Sequence, residues 1–91
     1  MDEIEGILVL PSALKHPGTT EADIGHAPGF SLRSFDNDED GSVLTIGPAE
    51  SGGLLEIGHR SKWGIQFVVF HAMEARSKFL TPKERGEVRW P

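Results

Sequence analysis

The most constraining feature of this 91-residue sequence is the run from Ile65 to His71, which is apolar on both of its faces. Apart from Gln66 and the terminal histidine, it consists of branched and aromatic side chains that favour β-strands. A strand without a polar face must be covered on both sides. We therefore expect it to lie centrally in a sheet, with helices over one face and partial cover over the other.

The segments before this run predict the rest of the sheet. Residues 31–35 alternate in the manner of a strand and lead through the charged turn 36–41 into residues 42–46, which is a hairpin pattern. Residues 54–60 predict the next strand, and the short turn 61–64 joins it to the apolar run. The sequence thus predicts four strands in an antiparallel meander.

Short helices are predicted on both sides of these strands. Thr20 and Asp23 have the spacing of a capping box, which predicts a helix from Glu21 to Ala27. After the apolar run, the segment Ala72–Leu80 predicts a closing helix, because its small and apolar residues recur at helical spacing.

Together these elements predict an α+β fold class with short N-terminal helices, a four-stranded antiparallel meander and a closing C-terminal helix. A chain of this length forms one domain, 1–91. We expect its core to span about residues 7–80, followed by a short C-terminal tail at 81–91. The tail begins with Thr81, Pro82 and Glu84, which is a further capping signal.

Arg76 is the unusual residue of the predicted closing helix, because it points into the middle of the apolar side. A guanidinium stays charged and is costly to bury without a partner. Arg76 must therefore extend to solvent, pair with a carboxylate, or face an anion such as phosphate. The sequence leaves these three interpretations open.

Charge is divided unevenly along the chain, whose net charge is −5. Residues 1–53 contain 10 acidic and 2 basic side chains, whereas residues 54–91 contain 4 acidic and 7 basic ones. The net charge argues against a protein that coats nucleic acid with its whole surface. The division is compatible with one phosphate-facing end or with two ordinary solvated surfaces.

Several classes of site are excluded by composition. The absence of cysteine excludes disulfides, thiolate catalysis and cysteine-based zinc sites. No metal or cofactor is expected, because the four histidines lack the close spacing of metal ligands. The acidic start and the lack of a long apolar run predict a cytoplasmic protein without a membrane partner.

Short motifs along the chain occur in the order found in a known protein family. They are Lys15-His16, Ile24 with His26-Ala27, Ile46-Gly47-Pro48, Gly53-Leu54-Leu55-Glu56-Ile57, and His71-Ala72-Met73 followed by Arg76, Lys78 and Phe79. In this order, over most of residues 15–80, the chain resembles the BrnT-type toxins of bacterial toxin–antitoxin pairs and related toxin-like proteins of actinobacteria. The resemblance implies a RelE/BrnT-like fold, metal-independent RNA cleavage and a neutralising antitoxin partner.

RNA cleavage without a metal needs a general acid or base that titrates near neutral pH, together with fixed cations that stabilise charge at phosphorus. The catalytic candidates, at and after the end of the central strand, are His71, Arg76 and Lys78. The RNA-binding candidates, on and after the neighbouring strand, are His59, Arg60 and Lys62. For the histidines the alternative is a buried ring with a hydrogen bond in the core, and for the lysines a solvated charge.

Two functions from different classes follow. The first is a toxin-like ribonuclease of a type II toxin–antitoxin system. The second is a non-catalytic protein-interaction module that keeps the fold and has lost RNA cleavage. A free sheet edge would also allow a homodimer. Trp63, in the tight turn before the apolar run, is expected to be an aromatic lid over the core, with base stacking as the alternative.

Overall fold

A six-stranded sheet forms the centre of the molecule, in the order β1-β2-β6-β5-β4-β3. The structure, a computed structural model, describes residues 3–4, 6–16 and 18–86. The strands are β1 (Glu3–Ile4), β2 (Ile7–Val9), β3 (Arg33–Asn37), β4 (Ser42–Pro48), β5 (Leu54–Lys62) and β6 (Ile65–Glu74). The helical elements of the described residues are α1 (Glu21–His26) and the 3-10 turns Pro11–Leu14, Ala27–Phe30 and Ser77–Phe79.

The sheet is mixed. Strands β3 to β6 follow one another in antiparallel pairs, whereas β2 lies parallel to β6 and pairs Val9 with Val69. Strand β6 is therefore internal, between β5 and β2. The central position predicted from its two apolar faces is confirmed, because both edges of β6 receive a partner strand.

The predicted fold class is wrong. The protein is mostly β, with one short α-helix among the described residues, instead of an α+β domain with short N-terminal helices, a four-stranded antiparallel meander and a closing helix. The N-terminal segment adds β1 and β2 to the sheet, so the antiparallel strands are only part of it. The reason is that the apolar run of β2 finds a complementary edge on β6, a pairing between residues that are far apart in sequence.

The closing helix predicted over Ala72–Leu80 is also absent from the described part of the chain. Strand β6 instead continues to Glu74, which pairs with Leu55, and the N–H of Ala75 donates to the carbonyl of Leu54 at 2.9 Å. A helix this short is marginal without tertiary support. The long strand β5 offers backbone partners over the same residues, so pairing with β5 prevails, and only a 3-10 turn follows.

The predicted helix near residue 21 is confirmed as α1. The hydroxyl of Thr20 accepts from the N–H of Asp23 at 3.2 Å, and the N–H of Thr20 donates to the carboxylate of Asp23 at 3.4 Å. These two bonds complete the capping box. Among the described residues, no helix combines the length and the apolar character required to cross a membrane.

The hydrophobic core lies where α1 and two of the 3-10 turns pack on one face of the sheet. Its buried members are Val9, Ala13, Ile24, Ala27, Ala49, Leu55, Ile57, Val69 and Ala72. Neighbouring residues of a strand point to opposite faces. Glu56, between two core residues of β5, therefore points to the other face of the sheet.

Candidate functional site

A fully buried carboxylate stands at the centre of the candidate site. Glu56 lies in β5 and is 0% exposed. An ionised carboxylate is tolerated in such a position only when hydrogen bonds and a counter-charge replace its water. The contacts of Glu56 therefore identify which neighbouring groups the fold holds in fixed positions.

Arg76 provides most of these contacts. Its backbone N–H donates to Oε1 of Glu56 at 2.9 Å, its Nε donates to the same oxygen at 2.9 Å, and its Nη2 donates to Oε2 at 2.8 Å. The two side-chain bonds form a bidentate arginine–carboxylate pair. The side chain of Arg76 nevertheless remains 49% exposed. Arg76 thus pairs with a carboxylate while part of its guanidinium stays accessible from solvent.

His71 of β6 binds the same carboxylate. Its Nε2 lies 3.0 Å from Oε2 of Glu56. An ionised carboxylate only accepts hydrogen bonds, so Nε2 donates, and in the neutral ring Nδ1 is left as an acceptor. The side chain is 27% exposed. The ring of His16, after the first 3-10 turn, meets His71 edge-on with 5.9 Å between the ring centroids.

The charge of Glu56 is stabilised in spite of its burial. Burial is the largest influence on the pKa of Glu56 and raises it, but the hydrogen bonds from Arg76 and His71 and the positive charge of Arg76 outweigh burial. The pKa of Glu56 therefore lies below its ordinary value of 4.5. The carboxylate is ionised at neutral pH and fixes both of its partners.

Lys78 lies beside Arg76 through a shared aromatic ring. The ammonium of Lys78 is 5.0 Å from the centroid of the Phe79 ring, and Cζ of Arg76 is 5.2 Å from the same centroid. Phe35 of β3 packs against Phe79 with 5.3 Å between ring centroids. The three predicted catalytic residues are therefore linked at the end of β6, His71 to Arg76 through Glu56 and Arg76 to Lys78 through Phe79.

The three predicted RNA-binding residues separate into two groups. His59 is buried, at 7% exposed, and its Nε2 lies 2.8 Å from the hydroxyl of Thr45. Burial lowers the pKa of His59, so the ring is neutral at neutral pH. This position matches the alternative interpretation of a core histidine, and His59 does not join the site. Arg60 and Lys62 remain accessible at the far end of β5.

A continuous series of contacts links Arg60 to the Glu56 site. Cζ of Arg60 lies 4.5 Å from the ring centroid of Phe70. Gly58 allows Phe70 and His71 to lie against β5, because a Cβ there would be 3.1 Å from both side chains. We call the accessible residues of this series, with the adjoining hairpin tip, the basic strip: Arg60, Lys62, Trp63, Phe70, His71, Arg76, Lys78 and Phe79.

A cleft of about 430 Å³ adjoins the site at His16, between the start of α1, the turn before β5 and the end of β6. Asp23 and Glu74 line it. The backbone N–H and hydroxyl of Ser51 donate to Asp23, and the backbone bond is the main cause that lowers the pKa of Asp23. The two carboxylates disfavour a bound phosphate, so an anionic ligand is expected on the His71 side of His16 and not inside the cleft.

Sequence reasoning missed Glu56 and His16 as members of the site. A signal for Glu56 was present, because a glutamate inside the apolar strand Leu54–Ile57 must have a buried partner. Among the described residues, no group of three or more histidine, aspartate or glutamate side chains is arranged to hold a metal ion. The site therefore presents two histidines, two cations and a buried carboxylate as its chemical groups.

Comparison with known protein families, with curated proteins and with solved structures finds no match to this chain.

Proposed function

We propose that this chain is a toxin-like, metal-independent ribonuclease of a type II toxin–antitoxin pair. The observation that supports the proposal is that buried Glu56 holds His71 and Arg76 side by side at the end of β6 and leaves both partly exposed. The order of short motifs that resembles the BrnT-type toxins points to the same chemistry. The RelE/BrnT-like fold implied by this resemblance is wrong for this chain, so the geometry of the site is the main support.

In this proposal His71 is the general base. Its Nε2–H is held by Glu56, so Nδ1 is free to take the proton of a ribose 2′-hydroxyl. The 2′ oxygen then bonds to the adjacent phosphorus and the bond from phosphorus to the 5′ oxygen breaks, which leaves a 2′,3′-cyclic phosphate and a 5′-hydroxyl. The negative charge of Glu56 stabilises the histidinium that forms.

The cations and the second histidine have separate roles. The exposed edge of Arg76 and the ammonium of Lys78 stabilise the charge that develops on the phosphoryl oxygens. Nη1 of Arg76 is available for this role, because the bonds to Glu56 use Nε and Nη2. His16, edge-on to His71, supplies the proton for the leaving 5′ oxygen.

The test is expression of the chain in bacteria, with growth and total RNA integrity as the readouts. Glutamine in place of His71 can still donate to Glu56 but cannot take up a proton. We expect His71→Gln to stay folded and to abolish both growth arrest and RNA cleavage. Base catalysis of this kind contributes about 10²- to 10⁴-fold, which the purified proteins should reproduce on a short RNA.

The matched control is His26→Gln. His26 is also held by a hydrogen bond, because its Nδ1 donates to the carbonyl of Pro48 at 2.9 Å, but it lies outside the basic strip. The His26→Gln protein should cleave RNA at the rate of the unmodified chain. Cleavage by the His71→Gln protein at the rate of the unmodified chain would exclude His71 as the base and contradict the mechanism.

The non-catalytic interaction module is supported by a different observation. Strand β3 ends the sheet, and Phe30, Leu32 and Phe35 are exposed on or beside it. An edge strand flanked by apolar side chains is suited to pairing with a partner segment, such as one from an antitoxin. A folded, unmodified chain that arrests no growth and cleaves no RNA would favour this module over the ribonuclease.

A further inference from the structure

The tip of the β5–β6 hairpin holds a tryptophan in a strained and exposed position. Trp63 is 63% exposed and has φ 54°, and Gly64 follows with φ 74°. Lys62 pairs with Ile65 across this two-residue turn. Positive φ at both central residues is the requirement of a type I′ turn, which asparagine–glycine satisfies and a bulky side chain does not.

The aromatic lid predicted for Trp63 is therefore wrong. A lid would be buried against the core, whereas most of this indole faces solvent. The turn is less stable with tryptophan than with asparagine, and the side chain does not recover the difference by burial. Residues with a strained backbone are concentrated at ligand-binding and active sites, and an exposed aromatic side chain at such a position suits contact with a ligand.

The surroundings of Trp63 complete a small recess. A cavity of about 210 Å³ lies beside the indole, and its lining residues are Leu10, Arg60, Lys62, Trp63, Val68 and Phe70. This volume is below the range of about 300–1,000 Å³ for sites that hold drug-sized ligands. It therefore suits one planar ring system.

Two cations line this recess. The ammonium of Lys62 is 4.8 Å from the centroid of the Trp63 ring. The side chain of Arg60 is 32% exposed, and its Nη2 forms an ion pair with Oδ2 of Asp40 at 3.8 Å. The two positive charges favour a ligand that carries acceptor atoms or a phosphate.

We propose that Trp63, Arg60 and Lys62 form a subsite that holds one nucleobase of a single-stranded RNA. The base stacks on the indole, its acceptor atoms meet the guanidinium of Arg60, and the adjoining phosphate lies near Lys62. This inference rests on the proposed function and extends it. The subsite is about 20 Å from Glu56 along β5, at about 3.3 Å per residue, so it governs which RNA is bound and not the bond-breaking step.

The test measures binding of a short, labelled, single-stranded RNA by fluorescence anisotropy. All proteins carry His71→Gln so that the RNA stays intact. We expect Trp63→Asn to weaken binding about 5- to 150-fold, the range for loss of one stacked base. Its melting temperature should be unchanged or higher, because asparagine fits the turn. Trp63→Phe should retain more binding than Trp63→Asn.

Direct contact with the indole has its own measurement. The chain has two tryptophans, and Trp90 lies outside the described residues. In a Trp90→Phe background the fluorescence of Trp63 should be quenched as RNA is added. Equal affinity of the unmodified and Trp63→Asn proteins, or no quenching, would overturn the subsite.

A purely structural role would also be visible. Loss of affinity in step with a fall in melting temperature of Trp63→Asn would make Trp63 a turn residue and overturn the subsite. RNA cleavage with binding independent of Trp63 would leave the ribonuclease standing without this subsite. Binding that depends on Trp63 in a chain that cleaves no RNA would support the subsite and reject only the catalytic proposal.

Discussion

The buried carboxylate of Glu56 determines which partner the guanidinium of Arg76 binds. The sequence left solvent, a carboxylate and an anion as its three partners, and Glu56 takes the guanidinium through bidentate bonds. The pair removes the cost of burying Glu56 and also fixes one edge of Arg76 toward solvent. Arg76 therefore combines a structural contact with a side chain that remains partly exposed.

A second arginine–carboxylate pair gives the protein a pH dependence that can be measured. Arg33 of β3 donates to both oxygens of Glu84, at 2.9 and 2.8 Å. Hydrogen bonding from Arg33 is the main cause that lowers the pKa of Glu84 from 4.5 to about 2. The pair stabilises the folded protein fully above pH 4.5, and this contribution is lost as the pH falls toward 2.

We expect Glu84→Gln to lower the free energy of unfolding at neutral pH and to reduce its dependence on pH between 4.5 and 2. Urea unfolding at a series of pH values measures both effects. Asp38→Asn, which changes an exposed carboxylate of the β3–β4 turn, is the control and should keep the full acid dependence. An unchanged acid dependence in Glu84→Gln would contradict the role of this pair.

At the scale of elements, the contact between β4 and the turn after α1 depends on a glycine. A Cβ on Gly47 would overlap the carbonyl oxygen of Ala27 and lie 3.0 Å from its carbonyl carbon. Both atoms belong to the backbone and cannot move away by a side-chain rotation. The motif Ile46-Gly47-Pro48 of the sequence therefore has a packing explanation.

Gly47→Ala should destabilise the protein by more than about 3 kcal/mol or prevent folding, because the overlap is with backbone. The matched control is Gly25→Ala within α1, where a Cβ meets nothing within 4 Å. That change should stabilise the protein by about 0.5–1 kcal/mol, since alanine is the better helix former. Thermal and urea unfolding measure the stability of both variants. Similar stabilities would contradict close packing of Gly47 against the backbone of Ala27.

At the scale of the whole molecule, an acidic protein presents one basic surface. The net charge is −5, yet the basic strip brings Arg60, Lys62, Arg76 and Lys78 to one series of contacts. The acidic β3–β4 turn borders the strip, where Asp40 is paired with Arg60, and the remaining acidic surface repels polyanions. RNA binding should therefore be confined to the strip and weaken with salt.

Under the proposed function, the slope of log RNA affinity against log salt concentration measures the number of phosphate contacts. Three phosphate-contacting cations, Lys62, Arg76 and Lys78, at about 0.7 per contact predict a slope of about −2 for log affinity against log salt. Lys78→Ala should reduce the steepness by about 0.7. Lys15→Ala, an exposed lysine outside the basic strip, should leave the slope unchanged. Equal slopes for both variants would exclude Lys78 from the phosphate contacts.

The sequence by itself determined the features that depend on neighbouring residues. The capping box at Thr20, the strand character of residues 65–71 and the hairpin from β3 to β4 follow from local patterns. The capping signal at Thr81 is also confirmed, because Thr81 and Glu84 exchange hydrogen bonds at 2.9 and 3.2 Å. Each of these depends on alternation or spacing within a few residues.

Only the tertiary structure decided the features that join distant segments. The parallel pairing of β2 with β6 turned the predicted antiparallel meander into a mixed sheet, and the length of β5 kept Ala72–Glu74 in a strand. The contacts of Glu56 with His71 and Arg76 likewise join positions 15 and 20 residues apart. Such pairings depend on which surfaces meet after the chain folds, and no local pattern specifies them.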